Sequence, residues 1–247
     1  MKLTNSGLSL FVFLMSLALN SSAQLNYQDT SFRNSAVDSL VSFFNKSINE
    51  NVHLYNGMAP LGYNYQVKGH PFFLSDKLEP GSIFYDGTLY NDKQVSYNIF
   101  LDEVITLHFN NVFRFALVKE KLQSFSFLGH DFVRLVPDSI NSAVLTTGFY
   151  DRLYEGKKVS LYAKRVKKIE EHVSTGDLES YFIEQYHYYF KINDKFYPVN
   201  SRKSVIKLFP GDKKEIQDAL KKKKIKYRKD PEGAMKIIAA YKDSQKH

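Results

Sequence analysis

Between Gly81 and Val199 the chain is a series of short aromatic and aliphatic runs separated by tight-turn residues. The runs are Ser82 to Tyr85, Thr88 to Tyr90, Val95 to Phe100, Val104 to Phe109, Phe113 to Val118, Ser124 to Leu128 and Phe132 to Val136. They continue as Gly148 to Tyr154, Lys158 to Val166, Ser180 to Ile192 and Lys195 to Val199. Asp86-Gly87 and Asn193-Asp194 are dipeptides that favour two-residue hairpins. Asn91 to Lys93, Gly129 to Asp131 and Glu155-Gly156 read as further turns, and residues 170–178 as a polar loop. Parallel strands need crossovers of a dozen or more residues, so this spacing predicts an antiparallel meander of about ten strands.

The flanks change period. Val37, Leu40, Val41, Phe44 and Ile48 form one apolar stripe at helical spacing, which predicts a helix over 31–48. A loop rich in Gly, Pro and Tyr follows at 56–80. After Val199, Ser201 is placed to cap a short helix ending before Pro210-Gly211. Asp212 and Glu215 have capping-box spacing ahead of a helix over 213–224. Asp230-Pro231 pairs an N-cap with proline at the first helical position. The expected fold is α+β: an antiparallel curved sheet or partial β-barrel, with an N-terminal helix and C-terminal helices packed on it. No linker separates these parts, so 24–247 reads as a single β-rich domain whose segment 201–247 is helical.

The first residues read as an address. Lys2 precedes the apolar run Leu8 to Leu19, and Ser21-Ser22-Ala23 offers small residues before a cut. This pattern predicts a signal peptide over 1–23. Its run of 12 residues is short for a membrane span of about 20. No later run is apolar enough to span, so no transmembrane helix is expected in the mature chain. The expected location is outside the cytoplasm, periplasmic or extracellular. The chain has no cysteine, which excludes disulfides, thiolate metal sites, a cysteine nucleophile and a cysteine-linked lipid anchor.

Several segments carry a resemblance. They are Gly81 to Gly87 (GSIFYDG), Phe100 to Ile105 (FLDEVI), Gly148 to Gly156 (GFYDRLYEG) and Leu161 to Arg165 (LYAKR). Phe196 to Val199, Ser201 to Leu208 and Lys229 to Pro231 complete the set. Together the chain from about residue 81 onward resembles uncharacterised exported proteins of Bacteroidota-type bacteria. The resemblance implies an envelope location and one domain. It brings no activity, ligand or catalytic residue.

Motifs of known chemistry are missing. There is no H-E-x-x-H, Walker A, G-x-G-x-x-G or G-x-S-x-G pattern, so no cofactor and no metal site are expected. His130-Asp131 is the fragment nearest to a general base with an orienting carboxylate. Adjacent strand residues point to opposite faces, which argues against it. Asp102-Glu103 and Glu170-Glu171 are paired carboxylates without a legible partner.

Two surface candidates remain. Tyr181, Tyr186, Tyr188 and Tyr189 lie in an aromatic run suited to stacking on a ligand. Alternation puts Tyr186 and Tyr188 on one face and Tyr189 on the other. Lys221, Lys222, Lys223, Lys224, Lys226, Arg228 and Lys229 form the densest basic patch. The formal charge of +8 is entirely C-terminal: residues 1–150 carry 10 basic and 12 acidic groups, residues 151–247 carry 24 and 14. This patch suits an anionic membrane surface or an acidic envelope partner, while export disfavours nucleic acid. The expected function is non-catalytic binding in the envelope through the sheet face or the loop 56–80. Carriage of an apolar ligand within the curved sheet, and hydrolysis at a composite carboxylate/His site, are the alternatives. An enzyme is the less expected outcome.

Overall fold

The computed structural model describes residues 54, 57–64, 66–108, 112–174 and 177–245. The expected signal peptide and the helix over 31–48 lie outside the described residues. Ten strands form one open antiparallel sheet: β1 (Glu79–Tyr85), β2 (Thr88–Asn98), β3 (Glu103–Leu107), β4 (Arg114–Ala116), β5 (Leu122–Phe127), β6 (His130–Leu135), β7 (Gly148–Tyr154), β8 (Val159–Ser174), β9 (Asp177–Ile192) and β10 (Lys195–Val199). Three helices follow: α1 (Arg202–Leu208), α2 (Lys213–Lys222) and α3 (Pro231–Ser244). None of the helices is long and apolar enough to cross a membrane.

The strand order is β10-β9-β8-β7-β6-β5-β1-β2-β3-β4. The sheet is thus two meanders that share β1 as their seam. β4 ends at one edge, yet β5 begins beside β1. Four inter-strand spacings, roughly 19 Å in a flat sheet, separate them. The link holds only residues 117–121, and three of these form a 3-10 turn, which rises about 2 Å per residue. So short a link is possible only because the sheet rolls up. The roll brings the β2–β3 turn onto β8, where the Lys167 N–H donates to the Ile99 carbonyl at 3.3 Å.

The inner face of the roll is filled by rings. Phe125 stacks on Phe132 at 4.9 Å, and Tyr97 meets both edge-on at 5.1 and 5.0 Å. Ile83, Val95, Phe73 and Phe149 belong to the same core. Farther along the same face, Val159, Leu161 and Phe190 pack against Val205, Ile216, Leu220, Met235 and Ile238 of the helices. The outer face has a small core of Leu145, Tyr150, Tyr162 and Phe196.

Several boundaries differ from the sequence expectation. Asn91 to Lys93 are not a turn, and β2 runs through them. Asp92 adopts φ 56°, and the pairing slips between Gly81 and Ile83, so the extra residue is a bulge. Residues 170–174 and 177–178 are strand rather than loop: β8 and β9 pair from Val159–Ile192 out to Ser174–Asp177. Glu171, His172 and Asp177 are exposed on a two-stranded arm that extends past β7. Gly129 to Asp131 shift as well. The two-residue turn is Leu128-Gly129, with φ 52° and 77°, which leaves His130 and Asp131 in β6.

Helix ends follow local chemistry. Ser201 caps α1 by accepting from Ser204 N–H, and Ser204 reciprocates. Asp230 caps α3 by accepting from Gly233 N–H at 2.8 Å, ahead of Pro231. The expected box at Asp212 is not formed. Its carboxylate instead accepts from Lys242 at 2.7 Å, which draws the side chain away from the helix start.

Candidate functional site

Strand register distributes the candidate tyrosines over separate environments. Arg165 pairs with Tyr186 and Ala163 with Tyr188, which puts both rings on the inner face. The Arg165 guanidinium lies 4.6 Å from the Tyr186 ring centre. Tyr188 donates to Glu232 at 3.3 Å, and burial, then the Glu232 charge, pushes its phenol up to about 12. Tyr189 turns to the outer face, 5.8 Å from the Tyr150 ring. Tyr181 sits on the arm and donates to Glu179, as Tyr186 does to Glu184. The rings therefore lie on different faces and do not form one stacking row.

A buried ionic cluster lies between the aromatic and helical cores. Asp151 is 1% exposed and Arg165 3%. Arg165 Nε and Nη2 donate to Asp151 Oδ2 at 3.0 and 2.5 Å, and Nη2 also reaches Glu232 of α3 at 2.8 Å. His130 Nδ1 meets the same Asp151 oxygen at 2.8 Å. Asp131 points the other way and accepts from Arg152. Sequence reading considered His130 with Asp131 but missed Asp151, Arg165 and Glu232. A signal for two of them is visible in the alternation. Arg165 is in phase with the core residues Val159, Leu161 and Ala163, and Asp151 with Phe149.

The cluster does not assemble a nucleophile. Ser82 and Ser126 share a 2.7 Å hydroxyl contact. Ser126 pairs with Asp131, so it lies on the face opposite His130. The other paired carboxylates have structural partners. Asp102 accepts from the buried Tyr97 hydroxyl, and from Lys164 Nζ at 2.9 Å. Burial pulls the Lys164 ammonium below the ordinary lysine value, although Asp102 opposes this. Glu170 lies 3.8 Å from His172. Among the described residues no group of three or more His, Asp or Glu side chains is arranged to hold a metal ion.

The basic patch is different. Lys221 and Lys222 end α2, Lys223 is its C-cap, and Lys224 turns the chain with φ 56°. Cations there also complement the helix dipole. Lys226, Arg228 and Lys229 follow, all exposed, while Ile225 and Tyr227 fold back onto the helical core. Between this turn, the start of α1 and the end of α2 lies a groove of about 600 Å³. Arg202, Lys221, Lys226 and Arg228 stand around it, over Leu220, Ile225, Tyr227 and Pro231. A second groove of about 570 Å³ shares Arg202 and Gln217 and adds Lys203 and Lys213. Residues 201–245 carry 14 basic and 6 acidic side chains. Sequence identified the patch. It could not show that Arg202, some twenty residues earlier, joins the same groove.

Comparison with family models, with curated proteins and with solved structures found no match.

Proposed function

We propose that this is an exported, non-catalytic envelope protein that holds an anionic ligand on its C-terminal helical face. The observation that carries this reading is the groove of four cations from separate segments, Arg202, Lys221, Lys226 and Arg228, over an apolar floor. Lys221 lies 3.5 Å from Asp218 and complements the end of α2, but gathering four like charges around one groove also raises the local concentration of an anion.

The sheet face and the loop 56–80 are less available. The loop 56–80 is tied into the sheet: Lys68 bridges Tyr181, and Phe73 is 1% exposed in the aromatic core. The inner sheet face is covered by rings and helices. The same filling counts against carriage of an apolar ligand inside the roll. Asp151, the carboxylate that meets His130, is 1% exposed and already paired with Arg165, which counts against a hydrolase at a composite carboxylate/His site.

The test is co-sedimentation of the full chain with anionic vesicles and retention on an immobilised polyanion, at low and high salt. Binding at low salt, lost at high salt and lost on Lys221→Glu/Lys226→Glu/Arg228→Glu, is the expected result. A wild-type chain that ignores both anions at low salt refutes the reading.

A further inference from the structure

We propose that the larger C-terminal groove is a binding site for a single phosphate-bearing amphiphile. Arg202 and Arg228 grip the phosphate, and the apolar part lies along Leu220, Ile225 and Tyr227. This rests on the anion-binding reading above and narrows it to one ligand class.

Three observations lead there. The first is the identity of the cations. A diffuse field needs only lysines, and the exposed run Lys222 to Lys224 supplies it on the outside. The groove itself has two arginines, one from the start of α1 and one from the turn before α3. The guanidinium fork matches two phosphate oxygens at once.

The second is the floor. Leu220 is buried, and Ile225 and Tyr227 are half-buried against the helical core. They form a fixed apolar wall beside the charges. A small polar anion gains nothing from that wall, whereas an acyl or ring portion does.

The third is shape. A bilayer meets a convex or flat cationic face. This site is concave, and its volume of about 600 Å³ falls in the range of small-molecule sites, about 300–1,000 Å³. The adjoining groove with Lys203 and Lys213 shares Arg202, which gives room for a second anionic group on the same ligand.

The experiment titrates the full chain with short-chain phosphatidylglycerol kept below its micelle concentration, with glycerol 3-phosphate, and with the phosphate-free diacylglycerol of the same chain length. The monomeric lipid is expected to bind at least about tenfold tighter than either fragment. Arg202→Gln/Arg228→Gln is expected to weaken it by about tenfold or more. Lys207→Gln/Lys214→Gln removes the same charge from exposed positions of α1 and α2 outside the groove. It is expected to change affinity less than about threefold. Thermal melting confirms that both double variants fold. Equal affinity for glycerol 3-phosphate, or equal loss in the two variants, overturns the amphiphile site and leaves anion binding standing. Binding to anionic vesicles without binding to monomeric lipid also overturns it, in favour of the bilayer. No binding to any anion removes the anion-binding reading itself.

Discussion

Arg165 and Asp151 form a buried ion pair, with Nη2 and Oδ2 at 2.5 Å, where the aromatic core of the roll meets the helical core. Both charges are removed from water, and Arg165 also reaches Glu232. The pair therefore ties β7, β8 and α3 together. Removing one partner leaves an uncompensated charge inside the protein. Arg165→Met is expected to lower stability by about 3–5 kcal/mol. Arg165→Met/Asp151→Leu should recover part of that loss, because the two sites are coupled. Urea titration followed by circular dichroism measures both. A single-variant loss below about 1 kcal/mol, the scale of an exposed pair, would contradict the account.

The alkaline limit of the fold is set by tyrosine. Burial holds the Tyr97 phenol far above its ordinary value of about 10, and the Asp102 charge adds to this. Tyr188 is pushed up to about 12 by burial and by Glu232. A raised folded pKa means that the native state keeps a proton that the unfolded chain gives up. The stabilisation is complete below about pH 10 and falls as pH rises from there toward the folded value. For Tyr97 the loss is up to about 1.4 kcal/mol per pH unit. Lys164 acts in the opposite sense, since burial lowers its pKa and deprotonation relieves a cost. The expected net result is destabilisation above pH 10, with phenolate absorbance of Tyr97 appearing only as the protein unfolds. A Tyr97→Phe variant whose alkaline midpoint matches wild type would show that Tyr97 is not a source of the effect.

How far the sequence could be read depended on the range of each signal. Asp86-Gly87 and Asn193-Asp194 specify hairpins locally, since both residues of the first turn and both of the second take positive φ, and these turns are found as expected. β7 and β10 also keep their expected ends. Asp92 misled because a polar left-handed residue serves a bulge as well as a turn. The arm misled because its outward residues, such as Lys168, Glu170 and His172, lack a neighbouring strand and so carry no apolar alternation. The ionic cluster was out of reach for a different reason. Asp151, Arg165 and Glu232 meet only after the sheet rolls and α3 docks. Likewise the basic run was legible in sequence, but its concavity was not.

Gly81 is required by packing across three strands. It pairs with Lys93 of β2 and Phe127 of β5. A Cβ at this position would lie 2.2 Å from the Ser126 carbonyl oxygen and 2.9 Å from Phe127 Cβ. The obstruction is backbone, so it cannot move aside as a side-chain tip would. Gly81→Ala is expected to cost about 1–3 kcal/mol through overpacking. Gly87→Ala, in a turn with open space around it, tests strain at φ 77° instead. Differential scanning calorimetry of the two variants separates the mechanisms. A Gly81→Ala protein that melts like wild type would rule out the clash.

Lys167 anchors the loop that bridges to β2 through Phe72–Asn98 and to β9 through Lys68–Tyr181. Its ammonium donates to the His70 and Phe72 carbonyls, each at 2.8 Å, and lies 3.4 Å from Glu184. Burial pulls its pKa below the ordinary lysine value, with Glu184 opposing. Neighbouring backbone pairing depends on this anchor: Lys68 N–H donates to the Ser180 carbonyl and Phe182 N–H to the Lys68 carbonyl. Lys167→Met keeps the side-chain length but leaves two carbonyls without their donor. The expected loss is about 2–4 kcal/mol, from charge-assisted bonds worth about 1.5–3 kcal/mol each and partial rehydration of the loop. Amide hydrogen exchange should quicken at Lys68 and Phe182 well before it changes in β5 and β6, because local opening precedes global unfolding. Uniform acceleration across the sheet would mean that Lys167 supports the whole fold rather than the loop.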